Sequence, residues 1–239
     1  MLIATRQKHQ LSPLQLKLTL EKTDIEQVHE HRVLGVTKDA EMKWQSHPSN
    51  VCKIVSKSLF LLSQLKYYVN VKARKLVYSA HILSYTNYAS TLWDVCSEVH
   101  LKKTTTHNLN SLHRRATKLI LSDPSIPTDN KLKSIKLLPL TKQLKYNKAV
   151  VMFKVYNGKT PEYIRSLFTR SSSRYGSNNF IPPRTRIDLY KTSVAFSGSS
   201  VWNSLPLFLK NLRTIRCFKR HLHRHLSKFS TVPTVYYPP

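Results

Sequence analysis

The sequence predicts a mostly α-helical protein with a small β portion near its N-terminus. Residues 14–20 alternate apolar and polar side chains with a period of two, which is typical of a strand. From Pro48 onward, apolar residues recur at helical spacing. Pro139 and Gly158 bracket a long stretch with the proline first and the glycine last, the order that helices favour. We therefore expect short strands, then a run of helices, then a basic α+β region.

The strands are expected within residues 1–46. A further strand unit is predicted in which 24–29 pairs with 33–37 across 30–32. Gly35 lies inside the second of these strands, where a missing side chain permits close approach of another backbone. This part of the chain should therefore form the edge of a small sheet.

Residues 47–122 predict a helical unit. One helix is expected from Pro48, and a second over about 71–83. The sequence KTTTH at 103–107 is predicted to interrupt the helical pattern. A third helix follows over 109–121. Its outer face is expected to carry Arg114, Arg115 and Lys118.

Residues 123–168 predict more helices. Turn residues precede a short helix that reaches Ile135, a long helix runs from Pro139 to Gly158, and Pro161 opens a short helix to Phe168. The long helix has one apolar stripe, so its lysines are expected on the surface. These are Lys142, Lys145, Lys148 and Lys154.

The last third of the chain begins with a Ser-, Arg- and Asn-rich stretch at 169–179, which predicts a flexible linker. Residues 180–239 form the basic C-terminal region. Its expected elements are strands at 187–190 and 193–196, an aromatic-rich turn at 200–209 and a basic helix over about 214–226.

Charge is the strongest compositional signal. The chain of 239 residues has 39 Lys and Arg against 12 Asp and Glu, a formal charge of +27, and the excess grows toward the C-terminus. Such a chain repels itself unless a polyanion neutralises it, and nucleic acid is the commonest polyanion. Packing within a larger assembly and attachment to a membrane surface are the two alternatives.

Several functional classes are excluded by composition. The four glycines lie far apart, so no phosphate-binding loop or dinucleotide motif is present. No apolar run is long enough to cross a membrane, and the N-terminus lacks a secretory signal. Three widely spaced cysteines indicate a reducing compartment. We expect an intracellular protein of the nucleus or cytoplasm, not secreted and without membrane partner, cofactor or small-molecule substrate.

The order of residues resembles a known family. The fragments HRVLGVTKDAEMKW, SKSLFLLSQLKYYV, RKLVYSAHILSYTNYASTLWDVCS, LNSLHRRATKLIL and SVWNSLPLFLKN occur in this order. They resemble the region downstream of the palm in reverse transcriptases of non-LTR (LINE-like, jockey/CR1-type) retrotransposons, over about residues 1–228. By this resemblance, 1–46 are a palm edge, 47–122 a thumb and 123–168 a post-thumb region.

The resemblance implies that the chain derives from a reverse transcriptase but does not have its polymerase activity. The family's catalytic aspartates precede the LGV strand, and this chain contains no Asp-Asp pair. We expect no enzymatic activity from the chain alone. Leu34, Gly35 and Val36 match the family's primer-grip turn, and a separate palm chain is a partner that the resemblance implies. Compared with the family, the KTTTH stretch adds about five residues before the LNSLHRR helix, which is about a turn and a half of helix if they are not looped out.

A weaker resemblance covers about residues 4–70. The segment that precedes the RNA-binding and oxygenase domains of an AlkB-homologue tRNA-modifying protein has a similar TRQKH…LGV stretch. The metal-binding residues of that oxygenase have no counterpart here, so the resemblance implies no oxygenase activity.

The hypothesis from the sequence is therefore binding of RNA or RNA–DNA hybrid through phosphates, without sequence specificity. A basic protein-interaction module, or a decayed transposon fragment without activity, is the alternative. The expected phosphate contacts are the cations that cluster off the apolar stripes. They are Lys53, Lys57, Lys66, Lys72, Arg74, Lys75, Arg114, Arg115 and Lys118. Tyr67 and Tyr68 are either stacking platforms or packing residues.

Two sets of side chains contain residue types that can bind a metal ion. Acidic residues are dense only over 21–41, where they fit solvated strand and turn positions. Cys217, His221 and His225 share one face of a helix, but zinc usually needs four ligands, and no second cluster is near in sequence. We expect no metal site.

Overall fold

Among the residues that the computed structural model describes, 61% are helical and 10% are in strands, which confirms the predicted fold class. The structure describes residues 1, 3, 18–42, 44, 46–94, 105–122, 132, 134–171, 178–185, 188–191 and 193–228. Its strands are β1 (Leu18–Leu20), β2 (Thr23–Ile25), β3 (Glu30–Val33), β4 (Val36–Asp39), β5 (Thr169–Arg170) and β6 (Phe180–Ile181).

The helices of the first half are α1 (Ser46–Leu65), α2 (Val71–Val77), α3 (Ser84–Asn87), α4 (Ser90–Trp93) and α5 (Thr105–Leu121), with a π-helical segment (Tyr78–Leu83) between α2 and α3. Those of the second half are α6 (Leu140–Tyr156), α7 (Glu162–Arg165), α8 (Asp188–Lys191), α9 (Val194–Asn203), α10 (Leu207–Lys210) and α11 (Ile215–Lys228).

The N-terminal strands form two separate antiparallel hairpins. β1 pairs with β2, and β3 pairs with β4 so that Val33 lies opposite Val36. The predicted pairing of 24–29 with 33–37 is wrong, because the chain already reverses at Leu34 and Gly35. Both residues adopt positive φ, which fits a two-residue turn of the kind that joins twisted strands.

The first hydrophobic core forms where α1 packs along α5. Val51, Val55, Leu59 and Leu62 of α1 are buried, at the helical spacing predicted from the sequence. Buried residues of α5 belong to the same cluster, and so does the buried Trp93 of α4. The helix α5 begins at Thr105, inside the interruption predicted over 103–107, and residues 101–104 lie outside the described chain.

The second predicted helix extends from Val71 to Asn87, but its middle part is π-helical and not α-helical. Asn70 caps it, since its side chain accepts a hydrogen bond from the Ala73 amide at 2.9 Å. The π-helical segment in the middle brings Tyr78 and Ile82 into the core. Helical bulges of this type are frequent at functional sites.

The helix α6 is the centre of the fold, because it contributes to both hydrophobic cores. Its predicted limits are confirmed: Pro139 precedes it, and Gly158, with a φ of 67°, follows its end. Leu140 and Leu144 belong to the first core. The remaining buried residues of α6 form the second core with Phe168, Phe180, Trp202, Leu209, Phe218 and Leu222.

One side chain of α6 that was predicted to be exposed is buried, because the helix packs against a core on two sides. Lys148 was expected on the surface of the long helix, but it is only 1% exposed. Its Nζ lies 3.5 Å from Oδ2 of Asp94 and donates to the Asp94 carbonyl at 2.8 Å and to Oγ of Ser197 at 3.2 Å. The lysine thereby joins α4, α6 and α9.

The predicted linker at 169–179 is anchored at both ends. Its first two residues form β5, which pairs with β6, and the carbonyl of Asn178 accepts from the Trp202 indole at 2.8 Å. Buried Lys210 donates to Oδ1 of Asn179 at 2.7 Å. Residues 172–177 lie outside the described chain.

Two predicted strands in the C-terminal region are wrong. Residues 188–191 form α8, and 194–203 form α9, where strands were expected at 187–190 and 193–196. The predicted turn at 200–209 is instead the end of α9 and the start of α10. Ser193 caps α9, since its side chain accepts from the Phe196 amide at 3.3 Å, and Gly198 packs so closely on α6 that an added Cβ would lie 2.7 Å from Sδ of Met152.

Three further predicted helices have different outcomes. The last basic helix is confirmed as α11, which buries Phe218, Leu222 and Leu226. The helix predicted from Pro161 to Phe168 is shorter and ends at Arg165. The short helix expected before Ile135 falls mostly outside the described residues.

Candidate nucleic-acid interface

The β3–β4 hairpin ends in a strained turn. Leu34 and Gly35 have φ values of 47° and 81°. The left-handed conformation costs a non-glycine residue about 1–2 kcal/mol. The Leu34 side chain is nevertheless 86% exposed, so no burial compensates for it. Non-glycine residues held in such conformations concentrate at functional sites, and this turn is the segment predicted to resemble a primer grip.

Tyr88 attaches the tip of the hairpin to the helices. Its hydroxyl donates to the Leu34 carbonyl at 2.6 Å. A Cβ added to Gly35 would meet the Tyr88 ring at 3.5 Å, an ordinary van der Waals contact, so the φ of 81° and not the available space favours glycine here. The hairpin tip is thereby positioned beside α1 and α3.

A groove of about 650 Å³ lies between this hairpin and the helices, and we call it the hairpin groove. Its lining includes Arg32, Gly35 and Thr37 of the hairpin, Asn50 and Lys53 of α1, and Tyr85 and Tyr88 of the α3 region. The groove brings together two predicted residues, Gly35 and Lys53. It also adds cationic, amide and aromatic groups, which suit phosphates and bases.

His47 supports the hairpin side of the groove. Its Nδ1 accepts the Thr37 amide at 3.3 Å, and its ring packs edge-on against Trp93. Burial first, and the charge of Arg32 second, lower the pKa of His47. The imidazole is therefore neutral at pH 7, and Arg32 and Lys53 are the cations of the groove.

The outer face of α1 continues the basic surface beyond the groove. Lys53 and Lys57 are one helical turn apart and exposed, and Phe60 on the same face is 68% exposed. We refer to this surface as the α1 outer face. Like charges at this spacing weaken a helix, so an anion bound between them would stabilise it.

The corner between α1 and α2 combines cations with exposed aromatic rings. Tyr67 is 78% exposed and Tyr68 86% exposed. Nζ of Lys66 lies 4.7 Å from the centroid of the Tyr67 ring. Lys72 is exposed one residue into α2. The two tyrosines therefore contribute little to packing, which favours the stacking interpretation of the sequence.

Arg74 has a different place from the one predicted. It is half-buried, and its Nη1 donates to the Ile120 carbonyl at 3.1 Å and to Oγ of Ser122 at 2.8 Å. Its Nε donates to the Val69 carbonyl at 2.9 Å. The guanidinium thus caps the C-terminal end of α5, so Arg74 is a structural residue of the helical unit. Lys75 beside it is half-buried.

The three predicted cations of α5 lie on its solvent side. Arg114, Arg115 and Lys118 are exposed, as expected. The same helix buries His113, which the sequence did not single out. Its Nδ1 accepts from the Tyr78 hydroxyl at 2.6 Å, and its Nε2 lies 3.1 Å from the Leu138 carbonyl.

Carboxylates are missing from the helices that bear these cations. The sequences of α1, α2, α5 and α6 contain no acidic residue. Asp94, which follows α4, is buried on Lys148. Two acids of the hairpins also have structural roles, since Asp39 accepts the Trp44 amide at 2.7 Å and Glu30 accepts from Ser46. The positive field of the α1 outer face is therefore not neutralised by its own helices.

Arg32 and Asn50 are groove residues that the sequence did not reveal. Asn50 lies on a helix that the sequence predicts, whereas Arg32 lies on β3, which was predicted as a connection between strands; the groove exists only because the hairpin folds back onto α1. The resemblance offered one signal, since Arg32 stands directly before the VLGV stretch.

Among the described residues, no group of three or more His, Cys, Asp and Glu side chains could hold a metal ion. Cys217 is exposed, and the ring of His225 packs against Phe208. None of the helices in the described part of the chain combines the length and the apolar character needed to span a bilayer.

Comparison with known proteins gives no further assignment. No protein-family model, curated protein or solved structure gives a significant match to the chain.

Proposed function

We propose that the chain binds RNA or RNA–DNA hybrid through phosphate contacts, without sequence specificity and without catalysis of its own. In this proposal it is the thumb and post-thumb region of a non-LTR reverse transcriptase. The observation that carries the proposal is the un-neutralised basic surface of α1 and α2, with exposed Tyr67 and Tyr68 between its lysines. Lysines attract the backbone, and exposed tyrosines stack on bases or riboses.

The structure refines the residues proposed to contact phosphates. Lys53, Lys57 and Lys72 are exposed on or beside the α1 outer face, and Lys66 lies over the Tyr67 ring. Arg114, Arg115 and Lys118 form a second exposed group on α5. Arg74 is left out of the proposal because its guanidinium caps α5. Arg32 is added, since it lines the hairpin groove together with Lys53.

The test is binding of a labelled RNA–DNA hybrid over a series of salt concentrations. We expect affinity to fall steeply with salt, because bound lysines release counterions from the phosphates. The Lys53→Ala/Lys57→Ala variant should bind more weakly and reduce the slope of log K against log salt by about one unit per lysine. The matched control is Lys154→Ala/Lys159→Ala, which removes the same charge from exposed positions at the end of α6.

A second variant separates stacking from charge. Tyr67→Ala/Tyr68→Ala should weaken binding by about 1–3 kcal/mol for each ring that stacks, with the salt slope unchanged. Equal losses of hybrid affinity in the test and control lysine variants would show that binding depends only on the net charge of the chain. Absence of binding at low salt by the folded chain would refute the proposal.

A second candidate function is docking of the N-terminal hairpins onto a polymerase palm segment. Leu18, Leu20 and Ile25 are 55%, 66% and 51% exposed, although all three lie on the strands β1 and β2. Exposed apolar strands of this kind pair with or pack on another sheet. The test is complex formation with a purified palm domain of a non-LTR reverse transcriptase. Salt-insensitive binding that is lost in Leu18→Ser/Leu20→Ser would support docking.

A further inference from the structure

A second basic pocket lies in the other half of the molecule. It measures about 520 Å³ and is situated between the N-terminal end of α6 and the C-terminal half of α11. We call it the α6–α11 pocket. Leu137, Leu138 and Pro139 form an apolar part of its lining. Its volume is in the range of sites for small organic ligands, and most of the other lining residues are charged or polar.

The helix α11 gives this pocket a row of cations. Arg220, Arg224 and Lys228 line it at intervals of one helical turn. Like charges at this spacing destabilise a helix, and α11 has no acidic residue that could separate them. An anion held in the pocket would relieve this repulsion.

The opposite wall is also positive. Lys136 lines it with a φ of 56°, a conformation that lysine rarely adopts. The wall ends at the first turn of α6, whose positive end of the helix dipole favours negative charge. Lys142 holds the two walls together, since its Nζ donates to the Leu226 carbonyl at 2.9 Å. The pocket is therefore built by two elements that are fixed to each other.

We propose that the α6–α11 pocket binds a single nucleoside phosphate. The phosphate would contact Arg220 and Arg224, and the flat base would pack against the half-buried Leu137 and Pro139. The apolar lining disfavours a bare phosphate as the best ligand, and the cationic rim disfavours an uncharged apolar molecule. The inference does not depend on the hybrid binding proposed for the α1 outer face.

The test is calorimetric titration of the full chain with adenosine monophosphate, adenosine and inorganic phosphate. We expect saturable binding of the monophosphate and weaker binding of the other two. Arg220→Ala/Arg224→Ala should reduce the affinity about tenfold or more, because each guanidinium supplies a charge-assisted hydrogen bond. The matched control Arg213→Ala/Arg216→Ala removes two exposed cations outside the lining and should leave the affinity unchanged.

Two outcomes of this titration would overturn the inference. One is absence of saturable monophosphate binding by the folded wild type, and the other is an equal loss in both arginine variants. Lys53→Ala/Lys57→Ala should keep the monophosphate affinity, which separates this site from the hybrid-binding surface.

The source of the nucleoside phosphate is determined by competition with oligonucleotides. Displacement by a 5′-phosphorylated strand, but not by its 5′-hydroxyl form, would assign the pocket to strand ends. Displacement by neither would assign it to free nucleotides, and both results support the inference. Equal displacement by both strands would show that the pocket takes internal backbone phosphates and would contradict it.

Discussion

The buried pair of Lys148 and Asp94 should be the most sensitive point of the fold. The variant Lys148→Met keeps most of the apolar stem and removes the charge. It leaves the Asp94 carboxylate buried without the ammonium 3.5 Å away, and it removes the hydrogen bonds of 2.8 Å and 3.2 Å from Nζ. Removing one partner of a buried ion pair costs about 3–5 kcal/mol. This is a large share of the roughly 5–15 kcal/mol by which domains are stable.

The assay is urea unfolding at neutral pH, monitored by circular dichroism, since urea does not screen charges. Lys154→Met is the matched control, because Lys154 is exposed on the same helix and should change the free energy of unfolding by less than about 0.5 kcal/mol. The double variant Lys148→Met/Asp94→Asn should lose less stability than the sum of the two single variants, because it removes both charges of the pair.

Two results would refute this reasoning. A loss of stability below about 1 kcal/mol for Lys148→Met would mean that the buried ammonium stabilises the fold little more than a methionine does. This happens when a well-packed apolar side chain can take the place of a buried charge. Strict additivity in the double variant would mean that Lys148 and Asp94 do not interact across α4 and α6.

Four further predictions concern the core and the hairpin. Tyr78→Phe should cost about 1–3 kcal/mol, measured by urea unfolding, because it leaves the buried Nδ1 of His113 without its donor. Burial lowers the pKa of His113, so this residue stabilises the fold fully above its ordinary pKa near 6.5, and unfolding curves should show the contribution being lost as the pH falls below that value. Gly198→Ala should cost about 1–3 kcal/mol through contact with Met152, and a less-than-additive loss with Met152→Ala would check that contact. Leu34→Asn should raise the free energy of unfolding by about 1 kcal/mol, because Asn-Gly is the preferred pair for this turn. The same variant should weaken hybrid binding if the exposed leucine contacts nucleic acid. A loss of stability would contradict the turn assignment.

Local signals were sufficient for much of the fold. The stripe of α1, the proline and glycine around α6, and the basic helix α11 each depend on neighbours in sequence, and each is confirmed. The exposed cations of α5 follow from the same periodicity. These elements have one buried face, which is the case that periodicity describes.

The errors arise where several elements meet. Lys148 is buried because α6 has a core on either side, and a single stripe cannot represent that arrangement. Residues 194–203 form a helix where a strand and a turn were predicted, and the close packing of Gly198 on Met152 of α6 is a contact that no local pattern reveals. The hairpin groove was not predictable for the same reason, since Arg32 and Lys53 become neighbours only in the folded chain.

The double role of α6 has a consequence for how the protein folds. Leu140 and Leu144 complete the first core, while Phe153 and Val155 of the same helix complete the second. Neither half can form its interior until this one helix is in place. We therefore expect the halves to melt together, and α6 to retain its amide protons longest in hydrogen exchange. A cut between residues 122 and 140 would leave the N-terminal piece with an open apolar surface.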